Sequence, residues 1–231
     1  MLSLNLDGKC VAVTGGFGTL GAAVGAALAA AGARVALIDR APTPATASDA
    51  YAVSGVDLTS PDGAKDAIVQ VVAHFGRLDA VVNVAGGFRW ETVADGSVDT
   101  WDLLYQINLR TAVNTVRAAL PHLTANPGSS IVNIGALAST KAALGMGAYA
   151  ASKAGVARLT EALAEELKDK GVTVNAILPS IIDTAPNRKD MPDADFSRWV
   201  KPGEIADLIV FLLSDRARAI TGASIPITGR V

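Results

Sequence analysis

Residues 10–21 read CVAVTGGFGTLG, in which a short apolar run passes directly into a glycine-rich turn. The run at residues 10–13 predicts a buried strand, and the Ala-rich segment that begins at Leu20 predicts a helix. Glycines between the two allow a tight turn and a close approach of the helix to the strand. We therefore expect the chain to open with the strand–turn–helix unit of an α/β domain.

Short apolar runs alternate with longer helical patterns along the rest of the chain. The patterns predict strands at residues 10–13, 34–38, 52–56, 80–84, 130–134, 172–177 and 223–227, and helices at residues 20–31, 62–75, 98–123, 148–170 and 202–213. Strands that are apolar throughout are typical of a parallel sheet covered on both faces. We predict one doubly wound (Rossmann) α/β domain over residues 1–231, with a parallel sheet of about seven strands and helices on both faces.

Two segments interrupt the alternation. Residues 40–50 carry two prolines and no periodic apolar face, so we expect a loop there. Residues 185–199 are polar, contain two prolines and carry their aromatic residues near the end. Long insertions of this kind often cover binding sites, and we expect a substrate lid; a solvated surface loop is the alternative.

The composition narrows the class of partner. A formal net charge of −2 over 231 residues indicates neither nucleic acid nor an acidic membrane surface as a partner. The N-terminal residues lack a secretory pattern, and no apolar stretch is long enough to cross a membrane. The single cysteine, Cys10, excludes an internal disulfide, and the isolated His74 and His122 argue against zinc. We expect a cytoplasmic protein that acts on a small molecule and holds no metal.

The glycines of the first turn satisfy the pattern G-x-G-x-x-G at Gly16, Gly18 and Gly21. Between a strand and a helix this pattern is typical of dinucleotide binding, since the N–H groups at the helix start point to the phosphates. Asp39 ends the second strand, where a carboxylate accepts hydrogen bonds from the ribose of NAD and repels a 2′-phosphate. NAD(H) is therefore favoured as the cofactor, while the neighbouring Arg40 leaves NADP(H) open.

Tyr149 and Lys153 stand four residues apart in a helical pattern and so share one helix face. A free phenol, with a pKa of about 10, is a poor acid or base at neutral pH. A cation held nearby favours the phenolate, so we expect Lys153 to lower the pKa of Tyr149. The pair alone is also compatible with a solvated helix face, and its interpretation depends on the other motifs.

Those motifs resemble the short-chain dehydrogenase/reductase family along the whole chain. Residues 14–21 are similar to the family's cofactor turn, residues 83–86 (NVAG) to its N-N-A-G motif, and residues 175–184 (NAILPSIIDT) to the segment that cradles the nicotinamide. The resemblance implies a nicotinamide-dependent oxidoreductase in which Tyr149, Lys153 and Asn108 are catalytic. The cofactor site that it implies consists of those tyrosine and lysine side chains with Gly15, Phe17, Gly18, Thr19, Leu20, Gly21, Asp39, Arg40, Asp57, Leu58, Asn83, Ala85, Gly86, Ile134, Pro179, Ile182 and Thr184.

One position departs from the family pattern. Where the family has a serine 13 residues before the tyrosine, this chain has Ala136. In the family that hydroxyl donates a hydrogen bond to the substrate oxygen, and losing one such donor costs about 2.7–4 kcal/mol of transition-state stabilisation. Ser139 is one substitute, and a substrate that needs no such donor is the other explanation.

Within the family, the segments around the expected pocket resemble the dihydropteridine reductase branch, which also lacks this serine. The resemblance rests on residues 86–88 (GGF), 141–144 (KAAL) and 183–199. It implies NADH-dependent reduction of a quinonoid, pterin-like substrate held by Phe88, Trp90, Ala136, Met191 and Trp199. Two other functions remain open: an alcohol dehydrogenase or carbonyl (3-oxoacyl-type) reductase, and a catalytically silent dinucleotide-binding protein.

The resemblance also implies a homodimer or homotetramer. In the family, the helix that carries Asn108 and the helix that carries Tyr149 form the contact between subunits. Both carry apolar or small residues here, namely Leu109, Ala112, Val113, Val116 and Leu120 on the first and Ala150, Ala151, Ala154 and Gly155 on the second. Packing of the same residues within one chain is the alternative.

Overall fold

Seven strands form one parallel sheet in the computed structural model, which describes residues 4–44 and 50–231. The strands are β1 (Cys10–Thr14), β2 (Arg34–Ile38), β3 (Tyr51–Val53), β4 (Ala80–Asn83), β5 (Ser130–Ile134), β6 (Thr173–Pro179) and β7 (Ser224–Ile227). They lie in the order β3-β2-β1-β4-β5-β6-β7, and each neighbouring pair is parallel. The predicted fold class is therefore confirmed.

Helices connect the strands. In the described residues they are α1 (Thr19–Ala30), α2 (Pro61–Phe75), α3 (Val98–Tyr105), α4 (Thr111–Thr124), α5 (Gly147–Leu167), α6 (Ala185–Asp190) and α7 (Pro202–Leu213). Most predicted boundaries differ from these by one to three residues. The third strand was expected over residues 52–56 but ends at Val53, because Gly55 has a φ of 73° and turns the chain away from the sheet.

The predicted helix over residues 98–123 is not regular throughout. A π-helical turn, Gln106–Arg110, joins α3 to α4 and carries the buried Asn108. Such turns are rare and occur frequently at functional sites. Of the predicted loop at residues 40–50, residues 41–44 have no helix or strand, and residues 45–49 lie outside the described part of the chain.

The sheet separates two hydrophobic cores, because successive side chains of a strand point to opposite faces. On one face, α1 and α7 pack together over Val11 and Val13, with Leu28 and Ile209 fully buried between the layers. On the other face, α2, α4 and α5 cover Ala12 and its neighbours in a second core. The described helices include none with the length and apolarity that a membrane span requires.

The strand order reverses between β1 and β4, and this creates a crevice at the carboxyl ends of the strands. The turn after β1 packs directly against the loop after β4. A Cβ atom added to Gly15 would lie 2.9 Å from the Cα of Ala85, and Gly15 has a left-handed φ of 63°. Glycine is therefore required at the point where the two loops meet.

Candidate active site

A cleft of about 590 Å³ opens in this crevice. Most of the residues predicted to hold the cofactor line it, namely Gly15, Gly18, Leu20, Gly21, Asp39, Arg40, Asp57, Leu58, Ala85, Gly86, Ile134, Tyr149, Lys153, Pro179, Ile182 and Thr184. The tertiary structure thus collects residues from the carboxyl ends of six strands, β1 to β6, and from the helices α1 and α5 around one space. Its shape and lining are those of a binding cleft.

Three predicted cofactor residues lie outside this lining: Phe17, Thr19 and Asn83. The ring of Phe17 packs against the first core, although its main-chain N–H donates to the carboxylate of Asp39 at 3.0 Å. Asn83 is 5% exposed, and its side-chain amide donates to Asn133 at 2.8 Å inside the sheet. Asn83 therefore ties two strands together rather than facing the cleft.

Ten further residues of the cleft were not predicted from the sequence: Val56, Thr59, Val84, Gly87, Ile107, Thr111, Gly135, Ser180, Pro186 and Asn187. Most of them are sequence neighbours of a recognised motif, and this proximity is the only feature of the sequence that could have identified them. Pro186 and Asn187 are different, because they belong to α6, inside the predicted lid. The lid segment therefore forms part of the cofactor cleft as well.

The start of α1 is open to a phosphate group. Gly18 caps the helix without a side-chain hydrogen bond, and the first turn contains no acidic residue. A Cβ atom on Gly21 would collide with the main-chain carbonyl of Gly15, so the turn and the helix approach each other more closely than any other residue permits. Free N–H groups at such a helix start bind anions, and the residues present therefore fit a dinucleotide pyrophosphate.

Asp39 lies at the end of β2, where the ribose of such a dinucleotide would be placed. Its two carboxylate oxygens accept main-chain hydrogen bonds from Phe17 and Ala41, each at 3.0 Å. These contacts hold the carboxylate against the glycine turn. Arg40 also lines the cleft but is exposed.

Tyr149 and Lys153 lie one turn apart on α5, as predicted, and both line the cleft. The buried ammonium group of Lys153 donates to the main-chain oxygen of Ile134 at 2.8 Å. Asn108 accepts from the N–H of Gly87 at 2.8 Å and donates to the oxygen of the same residue at 3.0 Å. It also donates to the hydroxyl of Ser152 at 3.0 Å, which fixes the π-helical turn against α5.

The lysine and the asparagine approach the same glycine. A Cβ atom on Gly86 would lie 2.5 Å from Oδ1 of Asn108 and 3.4 Å from Nζ of Lys153. The loop after β4 therefore brings the three predicted catalytic residues together, since its main chain binds Asn108 while Phe88 packs on Tyr149. The rings of Phe88 and Tyr149 meet edge to face, with their centroids 4.9 Å apart.

The expected direction of the Tyr149 pKa is wrong for this structure. Burial raises the pKa of the Tyr149 phenol to about 12, and burial lowers the pKa of the Lys153 ammonium to about 8. In both cases loss of hydration on burial disfavours the charged form. The phenol is therefore protonated at neutral pH, which is the form that a proton donor requires.

A second cavity, of about 870 Å³, adjoins the cleft at Tyr149. Four of the five predicted substrate residues line it: Phe88, Trp90, Ala136 and Met191. The fifth, Trp199, does not. Its indole is 4% exposed and packs on the ring of Phe196 with centroids 4.8 Å apart, because it anchors the base of the lid instead of facing the cavity.

Ser139, the proposed substitute for the missing serine, also lies outside the predicted substrate site. Ser139 ends a 3-10 turn, Leu137–Ser139, and does not line either cavity. The next residue, Thr140, lines the second cavity. Its hydroxyl donates to the main-chain oxygen of Leu137 at 2.8 Å.

A chain of contacts fixes residues 185–199, the segment predicted to be a lid. At its base the N–H of Asp183 donates to the oxygen of Val200 at 2.8 Å. The guanidinium of Arg188 on α6 forms two hydrogen bonds with the Asp183 carboxylate, at 2.6 and 2.8 Å, and lies over the ring of Phe196. Phe196 packs in turn on the buried Trp199. Residues of this segment form part of the wall of both cavities.

A glycine-rich dinucleotide cleft beside a buried tyrosine–lysine–asparagine set defines an oxidoreductase of the short-chain type. Residues 9–195 match the family model described as short chain dehydrogenase, and the chain belongs to this family. It is 36% identical to D-threitol dehydrogenase from Mycolicibacterium smegmatis, covering 97% of this chain and 93% of that protein. It is 35% identical to acetoacetyl-CoA reductase from Shinella zoogloeoides, covering 94% and 95%.

The 3-oxoacyl-[acyl-carrier-protein] reductase of Thermotoga maritima is 30% identical, with 98% of each chain covered. Solved structures give the same result. A short-chain dehydrogenase/reductase from Serratia marcescens superposes with a TM-score of 0.87 at 31% identity, covering 97% of this chain and 98% of that chain. A short chain dehydrogenase from Burkholderia cenocepacia, in complex with NADP, superposes with a TM-score of 0.84 at 30% identity and the same coverage.

Proposed function

We propose that this protein is a nicotinamide-dependent carbonyl reductase, able to act in reverse as an alcohol dehydrogenase. The observation that carries the proposal is the position of Tyr149, which lines both the cofactor cleft and the substrate cavity. A group at this junction is within reach of a substrate carbonyl that lies against a dinucleotide. Reductases and dehydrogenases among the relatives support the same chemistry.

A reduced nicotinamide dinucleotide bound in the cleft would supply the hydride. Tyr149 then donates the phenol proton to the substrate oxygen, and its pKa of about 12 keeps that proton in place at neutral pH. The Lys153 ammonium stabilises the phenolate that remains. Asn108 hydrogen-bonds with the main chain of Gly87 and with the side chain of Ser152. It therefore holds the loop after β4 against α5.

We propose that NAD(H) is preferred over NADP(H). The carboxylate of Asp39 is fixed by two main-chain N–H groups at the point where a 2′-phosphate would lie, and two negative charges there repel each other. Arg40 is exposed, so solvent screens the attraction that its charge would have for a 2′-phosphate. The NADP complex of a relative keeps the alternative open for this family.

The substrate that we propose is a ketone whose remaining atoms fill an apolar cavity. Phe88, Trp90, Met146 and Met191 form much of its wall. A quinonoid dihydropterin is a second candidate, favoured by Ala136 and by the exposed rings of Phe88 and Trp90, on which a flat heterocycle can stack. The named relatives support the ketone instead.

Steady-state oxidation of NADH with a matched panel distinguishes these candidates. The panel contains acetoacetyl and longer 3-oxoacyl thioesters, simple aromatic ketones and freshly generated quinonoid dihydropterin. We expect turnover with ketones that exceeds turnover with the pterin in kcat/KM. A preference for the pterin selects the second candidate, and tight NADH binding without turnover on the whole panel leaves a catalytically silent dinucleotide-binding protein.

We further propose that the protein assembles as a homodimer or homotetramer. Part of the predicted contact is used within the chain, since a Cβ atom on Gly155 would lie 2.5 Å from the side chain of Leu109. The exposed face of α3 remains available. Val98, Trp101 and Tyr105 on that face are 76%, 40% and 52% exposed.

A further inference from the structure

Reduction of a carbonyl places negative charge on its oxygen, and one donor, Tyr149, is already assigned to that atom. The family hydroxyl that would provide a second hydrogen bond is replaced by the methyl group of Ala136. Six residues line both the cofactor cleft and the substrate cavity, and a carbonyl undergoing reduction must lie among them: Phe88, Tyr149, Pro179, Ser180, Ile182 and Asn187. Apart from Tyr149, only two of these six side chains carry a donor, Ser180 and Asn187.

The hydroxyl of Ser180 is not free to serve. It donates its one proton to the main-chain oxygen of Thr228 at 2.8 Å. Thr140, on the wall of the substrate cavity alone, likewise donates its proton to Leu137 at 2.8 Å. Neither hydroxyl can polarise a substrate without breaking an existing bond.

Asn187 is different, because a side-chain amide nitrogen carries two protons. One is donated to the main-chain oxygen of Ile182 at 2.7 Å, and that bond fixes the orientation of the amide. In the described structure the second proton has no acceptor. The main chain of the residue is also fixed, since its N–H donates to the hydroxyl of Thr184 at 3.3 Å.

We propose that the side-chain amide of Asn187 is a catalytic residue: its second N–H donates a hydrogen bond to the substrate oxygen and replaces the hydroxyl absent at Ala136. This inference rests on the proposed carbonyl reduction. Donor and acid then approach the oxygen from different elements, the lid helix α6 and α5. Preorganised donors of this kind act on the transition state more than on the bound substrate, so their removal lowers kcat.

Four proteins test the proposal: wild type, Asn187→Ala, Ala136→Ser and the double variant. We expect Asn187→Ala to lower kcat on the best ketone by about 10²-fold, the lower part of the range for loss of one such donor, with the Kd for NADH changed less than about threefold. Ala136→Ser should recover at least about tenfold of that loss in the double variant, while it changes kcat of the wild type by less than about threefold. Such rescue is specific to a lost donor, because a structural defect in residues 185–199 is not repaired by a hydroxyl at position 136, in the loop after β5.

Two further variants distinguish loss of the amide donor from a structural defect. Asn187→Gln retains an amide donor, and it should lose less kcat than Asn187→Ala if folding and thermal stability are equal. Lys189→Ala, on the exposed side of the same helix, is the matched control and should behave as wild type. A weaker NADH affinity with unchanged kcat, or no recovery in the double variant, overturns the proposal while the reductase function stands. Absence of ketone turnover by the wild type overturns both.

Discussion

The ammonium group of Lys153 makes its hydrogen bond with a main-chain oxygen, that of Ile134, and forms no ion pair with a carboxylate in the described part of the chain. The carbonyl belongs to the last residue of β5, and the lysine belongs to α5. Its positive charge is therefore buried and only partly compensated. That charge remains available to stabilise a phenolate one helical turn away.

This buried lysine predicts the pH dependence of carbonyl reduction. Its pKa is lowered to about 8, so the charge is complete below that pH and is lost above it. Tyr149, with a pKa of about 12, keeps its proton throughout this window. We expect kcat/KM for ketone reduction to be level below pH 8 and to fall by about tenfold per pH unit above it. A pH–rate profile between pH 6 and 10, which extends about two units to each side of the Lys153 pKa, measures this directly.

Lys153→Arg is the control for that profile, because a guanidinium stays charged over the whole range. The variant should be slower, yet its profile should lack the decrease near pH 8. If the decrease persists unchanged in Lys153→Arg, another group causes it. The lysine would then have no part in the pH dependence.

Removal of the phenol hydroxyl tests the proton donor itself. We expect Tyr149→Phe to lower kcat by about 10²–10⁴-fold, the range for loss of a general acid. Binding of NADH should be nearly unchanged, because the phenyl ring keeps its edge-to-face contact with Phe88. Fluorescence titration of NADH and single-turnover kinetics measure the two effects separately. Undiminished turnover would remove Tyr149 from the mechanism.

The charge of Asp39 is expected to determine the cofactor preference. Asp39→Asn keeps an oxygen that accepts a main-chain N–H but removes the charge that repels a 2′-phosphate. We expect the ratio of kcat/KM for NADH to that for NADPH to fall by about tenfold or more, since juxtaposed like charges cost several kcal/mol. Asp62→Asn, in the first turn of α2, is a control of equal charge change outside the cleft lining. An unchanged ratio would show that the carboxylate does not select the cofactor.

The exposed face of α3 provides a test of assembly. Val98, Trp101 and Tyr105 lie at spacings that place them on one side of the helix, and apolar surface of this kind commonly mediates association. We expect wild type to be a dimer or tetramer by light scattering and Trp101→Glu to dissociate to smaller species. Val69→Glu, on a 52% exposed side chain of α2, should not change the mass. A monomeric wild type contradicts the proposed assembly.

Much of the fold was predictable because it depends on local patterns. The five inner strands are largely apolar and buried along nearly their whole length, so hydrophobicity located them, whereas the edge strands β3 and β7 are only partly buried. The turn before α1 was predictable from its glycines, and a Cβ atom at Gly15, Gly16 or Gly21 would collide with neighbouring main chain. The four-residue spacing of Tyr149 and Lys153 fixed their shared helix face.

The remaining features depend on tertiary structure that local patterns do not encode. The Tyr149 pKa follows from burial, which no four-residue motif reports. Trp199 carried the same aromatic signal as Phe88, yet it packs under the lid while Phe88 faces the cavity. Asn187 lines both cavities beside Phe88 and Tyr149, two residues that are distant from it along the chain.

Arg188 provides the last test, because its guanidinium binds Asp183, just before residues 185–199, and lies over the ring of Phe196 near the end of that segment. Lysine at this position keeps the charge but cannot form the paired hydrogen bonds or cover the ring in the same way. We therefore expect Arg188→Lys to raise the KM for the ketone by about fivefold, since a loosened lid positions substrate poorly, with a smaller effect on the Kd for NADH. Lys189→Arg is the matched control on the neighbouring exposed position. Hydrogen exchange of residues 185–199 should increase in Arg188→Lys alone, and equal exchange in both variants would show that this ion pair does not hold the lid.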